Sequence, residues 1–323
     1  MGRVSGFCIL SPVFLIMGWV YGVIGILLVA MVAGLVYWLL RSPGRLTVYT
    51  IPAGVQVALD GRIVGTTADS GLVIEGMGEH FIELSRVGYE TDTITVFLVS
   101  GKVLNREIIM QVPGMVMILG GDFMMGWDGG AYNEKPAHRV RLRPFYMDRT
   151  EVTTQAFRKF RPKYRPSFSG GEKPATNVSW QEAHDYCQFV GKRLPSEAEW
   201  ERVCRGAEGS AYSYGQTYNV ERGRTGQGLN DGPVAVNSFA PGNENVFAMT
   251  GNVWEWCADW YGRDYYQQSP IGNPRGPKKG TQRVVRGGAW YNNVQAARCT
   301  HRAGNVRKSR APSFGFRCAR NVE

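Results

Sequence analysis

The chain has 323 residues, of which 44% are hydrophobic, 20% charged and 12% aromatic, so packed cores are expected and global disorder is excluded. Thirty-seven lysines and arginines against 27 acidic residues give a net charge of +10, which suits nucleic acid, anionic lipid or an acidic ligand. Six cysteines without a Cys-x-x-Cys pair, and no histidine pair at helical spacing, exclude a zinc module and a disulfide-dense small scaffold.

The first predicted element is a membrane helix. After a tail of residues 1–6, the 34 residues from Phe7 to Leu40 carry no charge, whereas about 20 apolar residues in a helix cross a bilayer core. We therefore predict a transmembrane anchor over residues 7–41. A cleaved signal peptide is the alternative, although its apolar region is usually much shorter. Basic residues flank both ends of the segment, so they do not fix its orientation.

Residues 44–112 are predicted to form a small all-β sandwich. Short alternating runs at 46–50, 55–59, 80–84 and 93–97 are separated by Gly, Asp and Pro turns. The pair Asp60-Gly61 is typical of a two-residue type I′ hairpin turn. The segments 51–55, 59–61 and 87–89 resemble the PEGA domain, a β module common beside bacterial envelope domains. Because no nucleophile is paired with a base in this sequence, we expect a spacer or protein-contact role, with peptidoglycan binding as the alternative.

Residues 113–323 are rich in Trp, Gly and Arg and have few long helical periods, which indicates an irregular α+β domain. Two helices are nevertheless predicted from capping boxes, in which a Ser oxygen and a Glu three residues later satisfy free amides of the first turn. Ser179 with Glu182 begins one helix, and Ser196 with Glu199 begins the next. These helices place Cys187 and Cys204 on neighbouring elements.

Seven motifs in this region resemble the sulfatase-modifying-factor family, which includes the formylglycine-generating enzymes and many non-catalytic relatives. They are Glu134-x-Pro136 with HRVRL, and the segments 145–153, 177–183, 191–201, 251–256 (GNVWEW), 285–290 (VRGGAW) and 315–319 (GFRCA). The resemblance implies an elaborated C-type-lectin fold. The predicted fold class is therefore a membrane-anchored multi-domain protein, with a small all-β sandwich followed by an irregular α+β, C-type-lectin-like domain. Function depends on the site rather than on the fold.

The resemblance also implies two disulfide bridges, Cys187 to Cys318 and Cys204 to Cys299. Each closes a loop of more than 90 residues, worth about 4 kcal/mol in the chain-entropy model. Disulfides form in oxidising compartments, so we expect a single-pass protein with a cytoplasmic N-terminus and periplasmic or extracellular domains. Buried reduced cysteines are the alternative. Cys257 is then an odd thiol, expected to be a buried apolar side chain, and Cys8 lies in or near the membrane.

A copper cofactor is not expected. The resemblance implies that a catalytic cysteine pair would lie in the segment 290–298, but its sequence, WYNNVQAAR, contains no cysteine. Residues such as Asn292 and Ala297 replace the thiolates that Cu(I) requires. Formylglycine synthesis by that route is therefore not expected.

Calcium is a possible structural ion that the resemblance implies. The family's ligands are oxygen atoms, as this ion requires, and they correspond to Gly251, Val253 and Glu255 at one site and Asn219, Val220 and Asp231 at a second. Ala248 stands where the family usually has an Asn or Asp ligand, which weakens the first site. The alternative is that Asn252 and Glu255 satisfy buried backbone groups.

Eight basic residues and no acidic residue lie between Arg286 and Arg320. Arg302 and Arg317 belong to family motifs and are expected to bond buried carbonyls or carboxylates. A ligand or partner surface is predicted in the rest of this region. It comprises Trp290, Tyr291, Asn292, Asn293, Arg298, Arg307, Lys308 and Arg310. A solvated basic loop is the alternative. Nucleic acid is not an expected partner, because no nucleic-acid module is recognised.

Three functions are consistent with this sequence. The first is a membrane-anchored extracytoplasmic binding protein, or an accessory or scaffold subunit of an envelope complex. The second is an oxidoreductase with different chemistry, similar to pyoverdine-maturation relatives that also lack the copper pair, although His138, His184 and His301 have no partner recognisable in sequence. The third is a variable ligand-binding protein of a diversity-generating retroelement, whose variable repeat would occupy residues 290–316.

Overall fold

The computed structural model describes residues 12–322, with side chains described at 24–38 and from residue 42 onward. The chain divides into two compact units. One contains the residues up to Val87 together with Thr91–Met110, and the other contains Gly88–Glu90 together with the residues from Gln111. The predicted tail 1–6, Cys8 and the beginning of the predicted anchor lie outside the described residues.

The first described element is helix α1, Pro12–Arg41, which is 30 residues long. Its apolar residues at 24–38 are exposed, Ile26, Val29 and Met31 among them. Within the described part of the chain, no helix combines the length and the apolar character needed to cross a membrane. The anchor predicted over residues 7–41 thus overlaps a helix, and its membrane role stays a prediction.

Within the described part of the first unit there are seven strands in two sheets. They are β1 Gly44–Ile51, β2 Gln56–Leu59, β3 Arg62–Thr66, β4 Leu72–Gly76, β5 Gly78–Ser85, β6 Asp92–Leu98 and β7 Val103–Ile109. The strand orders are β4-β1-β7 and β3-β2-β5-β6. Leu46 and Val48 of the first sheet and Val57 and Ile82 of the second are fully buried. Both sheets therefore supply the core of this β unit.

The predicted hairpin turn at Asp60 and Gly61 is confirmed. Leu59 pairs with Arg62 across β2 and β3, so the loop contains only these two residues. Asp60 has φ of 49° and Gly61 has φ of 80°, and a type I′ turn requires positive φ at both positions.

Among the described residues, the second unit contains three α-helices and nine strands, besides four short 3-10 helices. The helices are α2 Thr154–Phe160, α3 Trp180–Phe189 and α4 Glu197–Arg205, and the strands are β8 Met115–Ile118, β9 Gly121–Met125, β10 His138–Leu142, β11 Phe145–Asp148, β12 Trp254–Trp260, β13 Gln282–Arg286, β14 Arg302–Val306, β15 Phe314–Gly315 and β16 Ala319–Asn321. The strand orders are β10-β9, β16-β11-β8 and β14-β13-β12-β15. Between α4 and β12 the chain has almost no regular structure, as expected for an irregular α+β domain.

Both predicted capping boxes are confirmed. The Ser179 side chain accepts from the Glu182 amide and the Glu182 carboxylate accepts from the Ser179 amide, and Ser196 and Glu199 repeat this arrangement at α4.

Two disulfides link helices α3 and α4 to the C-terminal part of the chain. Cys187 of α3 is bonded to Cys318, and Cys204 of α4 to Cys299, with Cα atoms 5.9 and 5.5 Å apart. The predicted disulfide pairing is thus the one observed.

Three arginines are buried in the core of this unit. Arg286, Arg302 and Arg317 have at most 2% exposure. Arg302 Nε donates to Glu197 Oε1 at 2.7 Å, and Arg286 Nη2 donates to Glu201 Oε2 at 2.5 Å. The structural role predicted for Arg302 is confirmed, because a buried guanidinium is stable only when carboxylates or carbonyls surround it.

Candidate functional site

The segment that would carry the family's catalytic cysteines is a tight loop after β13. Gly288 has φ of 73°, and a Cβ there would lie 2.9 Å from the Ala296 carbonyl oxygen, so only glycine fits. Asn292 Oδ1 accepts from the Ala289 amide at 2.9 Å, and Asn293 Oδ1 accepts from the Ala296 amide at 3.1 Å. Both asparagine side chains therefore hold the backbone of their own loop.

Trp290 does not belong to an exposed surface, so its assignment to the ligand surface is wrong. It is 2% exposed, its Nε1 donates to the Gly228 carbonyl oxygen at 3.1 Å, and its ring meets Phe168 edge-on at 5.2 Å. Tyr291 is partly buried and its hydroxyl lies 3.3 Å from Ser313 Oγ. These aromatic rings pack in the core because burial of an indole or phenol ring removes a large apolar area from water.

Arg298 lies at a cleft of about 370 Å³, which we call the Trp127 cleft. Its lining comprises Trp127, Arg205, Gly209, Ala211, Tyr212, Gln216, Arg298 and Thr300. The Arg298 guanidinium carbon lies 4.9 Å from the Trp127 ring centroid, within the range of a cation–π contact. Arg205 is structural here, because its guanidinium donates to the carbonyl oxygens of Met124 and Gly126 at 2.7 and 2.8 Å.

A buried carboxylate fixes Arg298. Glu134 has no exposed surface, and it accepts from Arg298 Nη2 and from Thr300 Oγ1, each at 2.7 Å. His301 Nδ1 lies 3.8 Å from the same carboxylate. Burial by itself raises the pKa of Glu134, but the interactions with His301, Thr300 and Arg298 outweigh burial and lower the pKa to about 2. A lowered pKa favours the carboxylate form of Glu134 at neutral pH, and this carboxylate orients Arg298 at the Trp127 cleft.

The other predicted basic residues lie elsewhere. Arg310 lines a second cleft, described below, and Arg307 and Lys308 are exposed. The main-chain oxygen of Arg307 accepts from the Trp180 amide at 3.1 Å. The predicted ligand surface is thus divided among the loop after β13, two clefts and an exposed loop.

The side chains among the candidate calcium ligands already accept hydrogen bonds within the protein. Glu255 Oε2 accepts from Trp200 Nε1 at 2.8 Å, and both carboxylate oxygens accept from Arg317 at 2.7 Å. Asn219 Oδ1 accepts from the Glu221 amide, and Asp231 Oδ2 from the Gly228 amide, each at 2.8 Å. No group of three or more His, Cys, Asp or Glu side chains suited to a metal occurs among the described residues. A cation beside Glu255 would meet a buried guanidinium, so this motif does not fit calcium, and the predicted calcium binding requires a direct test.

The remaining thiol does not fit copper. Cys257 is the free cysteine of the described part of the chain, and it is fully buried. Burial, together with the charge of Asp259, raises the pKa of Cys257 well above its usual range. Since the thiolate is the copper ligand and the nucleophile, this side chain suits neither role.

With this geometry in place, comparison with known proteins defines the class. Residues 101–322 match the family model of the sulfatase-modifying factor enzyme 1-like domain, and residues 43–112 match the PEGA domain. The chain belongs to the sulfatase-modifying-factor family and carries a PEGA domain before the family domain.

The relatives that match this family domain include proteins named for different activities. The formylglycine-generating enzyme of Streptomyces coelicolor is 31% identical over 65% of this chain and 90% of its own length. The serine/threonine-protein kinase pkn1 of Chlamydia pneumoniae is 34% identical over 64% of this chain, which spans only 38% of that kinase. Among solved structures, PvdO of Pseudomonas aeruginosa has 27% identity and a TM-score of 0.57, covering 65% of this chain and 95% of PvdO. Variable protein 1 of Treponema denticola has 22% identity and a TM-score of 0.60, covering 64% and 94%, and so shares the fold.

Trp127, Tyr212 and Thr300 were not predicted as site residues. These residues are far apart in sequence. They lie in one cleft because three parts of the chain converge there: the segment after β9, the irregular segment after α4, and the residue that follows the disulfide-bonded Cys299. Glu134 belongs to the Glu134-x-Pro136 motif, and this motif is the one signal of its importance in the sequence.

Proposed function

We propose that this protein is a membrane-anchored, extracytoplasmic binding or accessory protein whose family domain is not a formylglycine-generating enzyme. The observation that carries the proposal is the loop after β13. Asn292 and Asn293 stand in the segment where that chemistry needs thiolates, and their side chains hold the loop backbone. The chemistry of this donor set does not fit copper.

The membrane location rests on the sequence. The 34 uncharged residues from Phe7 to Leu40 exceed the length of a bilayer-spanning helix. The disulfides Cys187–Cys318 and Cys204–Cys299 favour an oxidising compartment for the folded domains. Together they support a cytoplasmic N-terminus and domains in the periplasm or outside the cell, with a protein of the envelope as partner.

The Trp127 cleft is our candidate for the ligand-binding site of this domain. It combines an aromatic face with an arginine whose position is set by a buried anion, and 370 Å³ accommodates a small ligand. Arg298 Nε is buried and has no acceptor among the described residues. A ligand that presents a carboxylate or carbonyl oxygen next to a flat apolar group suits this arrangement.

Purification tests the accessory role. The tagged full-length chain is extracted from its native membrane in a gentle detergent, and co-purifying proteins are quantified by mass spectrometry. We expect one partner in stoichiometric amount, and we expect the chain to sediment with membranes after an alkaline wash. A chain that is released by the wash and carries no partner would contradict the proposal.

An oxidoreductase with different chemistry is the second candidate. The pair His301 and Glu134, 3.8 Å apart near the Trp127 cleft, supports the proton-transfer part of such a reaction, because a carboxylate can orient an imidazole as a proton acceptor. Its test is substrate turnover by the wild type that is lost in His301→Gln. The third alternative, a diversified repeat at 290–316, requires side chains free to vary, whereas Trp290 is bonded in the core and Asn292 and Asn293 hold the backbone of their own loop.

A further inference from the structure

A second cleft in the family domain is unusually basic. It has a volume of about 590 Å³ and is bordered by the end of α2, the segment after it, the start of α3 and the loop at Arg310. Arg161, Lys163, Arg165 and Arg310 line it, with Glu182 as the acidic residue of the lining. We call it the Arg161 cleft. Two chain segments that are about 150 residues apart in sequence therefore bring four cations together.

The two arginines are held by one carboxylate. Arg161 Nη1 donates to Glu182 Oε1 at 2.6 Å, and Arg310 Nη2 lies 3.0 Å from Glu182 Oε2. The Glu182 side chain is 9% exposed and is itself fixed, since it also accepts from the Ser179 amide at 3.0 Å as part of the α3 capping box. The guanidinium groups of Arg161 and Arg310 are positioned in advance, yet their side chains are 44% and 53% exposed. Each has donors beyond the one used by Glu182.

Four of the cations that the domain presents to solvent line this cleft. Arg286, Arg302 and Arg317, three of the eight basic residues between positions 286 and 320, are buried and paired with carboxylates. In contrast, the segment RKFRPKYR at 158–165 contains five exposed cations and no acid. Arg307 and Lys308 extend the charge beyond the cleft on the other side. The positive surface is longer than a small ion requires.

The lining also has an apolar part. Phe160, Pro162, Tyr164 and Val178 contribute to it. The Tyr164 hydroxyl donates to the Thr176 carbonyl oxygen at 2.6 Å, which fixes this ring. Arginine and aromatic side chains in one rigid cleft are the combination enriched at protein-binding hot spots. Polyphosphate would use the cations but not these apolar groups.

We infer that the Arg161 cleft binds an acidic peptide segment of a partner protein, in which carboxylates flank an apolar side chain. The carboxylates accept from Arg161 and Arg310, with Lys163 and Arg165 strengthening the attraction, and the apolar side chain packs against Phe160 and Tyr164. This inference goes beyond the proposed function and does not depend on the Trp127 cleft.

The experiment measures fluorescence anisotropy of a labelled peptide in which glutamates flank a leucine and a phenylalanine, added to the full-length chain in detergent. We expect saturable binding that weakens with added salt. A peptide with glutamine in place of glutamate should bind at least about tenfold more weakly, and so should one with serine in place of both apolar residues.

A double variant, Lys163→Gln with Arg165→Gln, tests the location. Neither residue contacts Glu182 in the described hydrogen bonds and ion pairs, so the fold should be retained, as checked by circular dichroism. We expect binding to weaken by about fivefold to twentyfold. The matched control, Arg62→Gln with Arg106→Gln, removes the same charge from exposed positions of the β unit and should change binding by less than about twofold.

Several results would overturn the inference. They are the absence of saturable binding, equal weakening by the two double variants, and equal binding of the glutamine or serine peptide. Binding of polyphosphate or a single-stranded oligonucleotide that is as tight as peptide binding, with mutual competition, would assign the cleft to polyanions in general and would also reject the peptide.

Discussion

Arg317 and Glu255 form a two-point ion pair in the core of the family domain. Arg317 Nε and Nη2 each donate to a different oxygen of the Glu255 carboxylate at 2.7 Å, and neither side chain is more than 1% exposed. The pair links the GFRCA motif to the GNVWEW motif. This ion pair gives Arg317 and Glu255 a structural role in the core, so neither motif needs to contact a ligand.

Breaking this pair should strongly destabilise the domain. Arg317→Met leaves the Glu255 carboxylate buried without its counterion, so we expect a loss of about 3 to 5 kcal/mol in the free energy of unfolding. Chemical denaturation monitored by tryptophan fluorescence measures this loss of unfolding free energy. The control, Arg139→Gln, removes a pair with Asp122 in which the Arg139 side chain is 58% exposed, and stability should hardly change. Similar losses for the two variants would contradict the role of the buried pair.

Both disulfides should be present in protein isolated from its natural compartment. Non-reducing peptide mapping is expected to recover peptides that join Cys187 to Cys318 and Cys204 to Cys299, with Cys257 unmodified until the protein is denatured. Reduction should lower stability by about 4 kcal/mol for each bridge in the chain-entropy model. Four free thiols in the native protein would contradict both the pairing and the proposed compartment.

Asp259 should make stability depend on pH. Burial, followed by the nearby charge of Glu197, raises the pKa of Asp259 from 3.8 to about 7. Between these values the unfolded chain has lost the proton that the folded chain retains, so this group lowers the free energy of unfolding as pH rises, by up to about 1.4 kcal/mol per pH unit. Denaturation of Asp259→Asn should show a flatter pH dependence over this window. An identical slope in variant and wild type would disprove the assignment.

Calcium should have little effect on the family domain. Because Arg317 already neutralises Glu255, addition of calcium after chelation should leave the thermal midpoint of the wild type unchanged. A midpoint that rises with calcium concentration would show that a bound ion stabilises the folded state. In that case the folded chain would bind calcium, and our expectation that the ion has little effect on this domain would be wrong.

Local signals in the sequence were sufficient to predict some structural features and insufficient to predict others. The capping boxes at Ser179 and Ser196 and the turn at Asp60 depend on neighbouring residues, so they could be predicted directly. The disulfide pairing followed from resemblance to a family. In contrast, the exposure of Trp290 depends on Phe168, which is more than 100 residues away, and the sequence contains no signal of that contact.

The two clefts also depend on contacts between residues that are distant in sequence, which local signals do not predict. The basic segment at 158–165 could have been noticed as a charge run, but its convergence with Arg310 around Glu182 depends on how α2 and α3 pack. Similarly, a count of charges does not reveal that Arg302 is buried whereas Arg307 is exposed. Sequence composition gives the net charge, whereas burial decides which charges a partner meets.

The most direct test of the central claim is an activity assay on the full-length chain. The purified protein is loaded with Cu(I) and incubated in air with a sulfatase-type cysteine peptide, and the peptide is then analysed by mass spectrometry beside a formylglycine-generating enzyme as the positive control. We predict that the cysteine remains unmodified and that the protein retains no stoichiometric copper after desalting. Conversion of the cysteine to formylglycine would contradict the proposal that this domain is a non-catalytic member of its family.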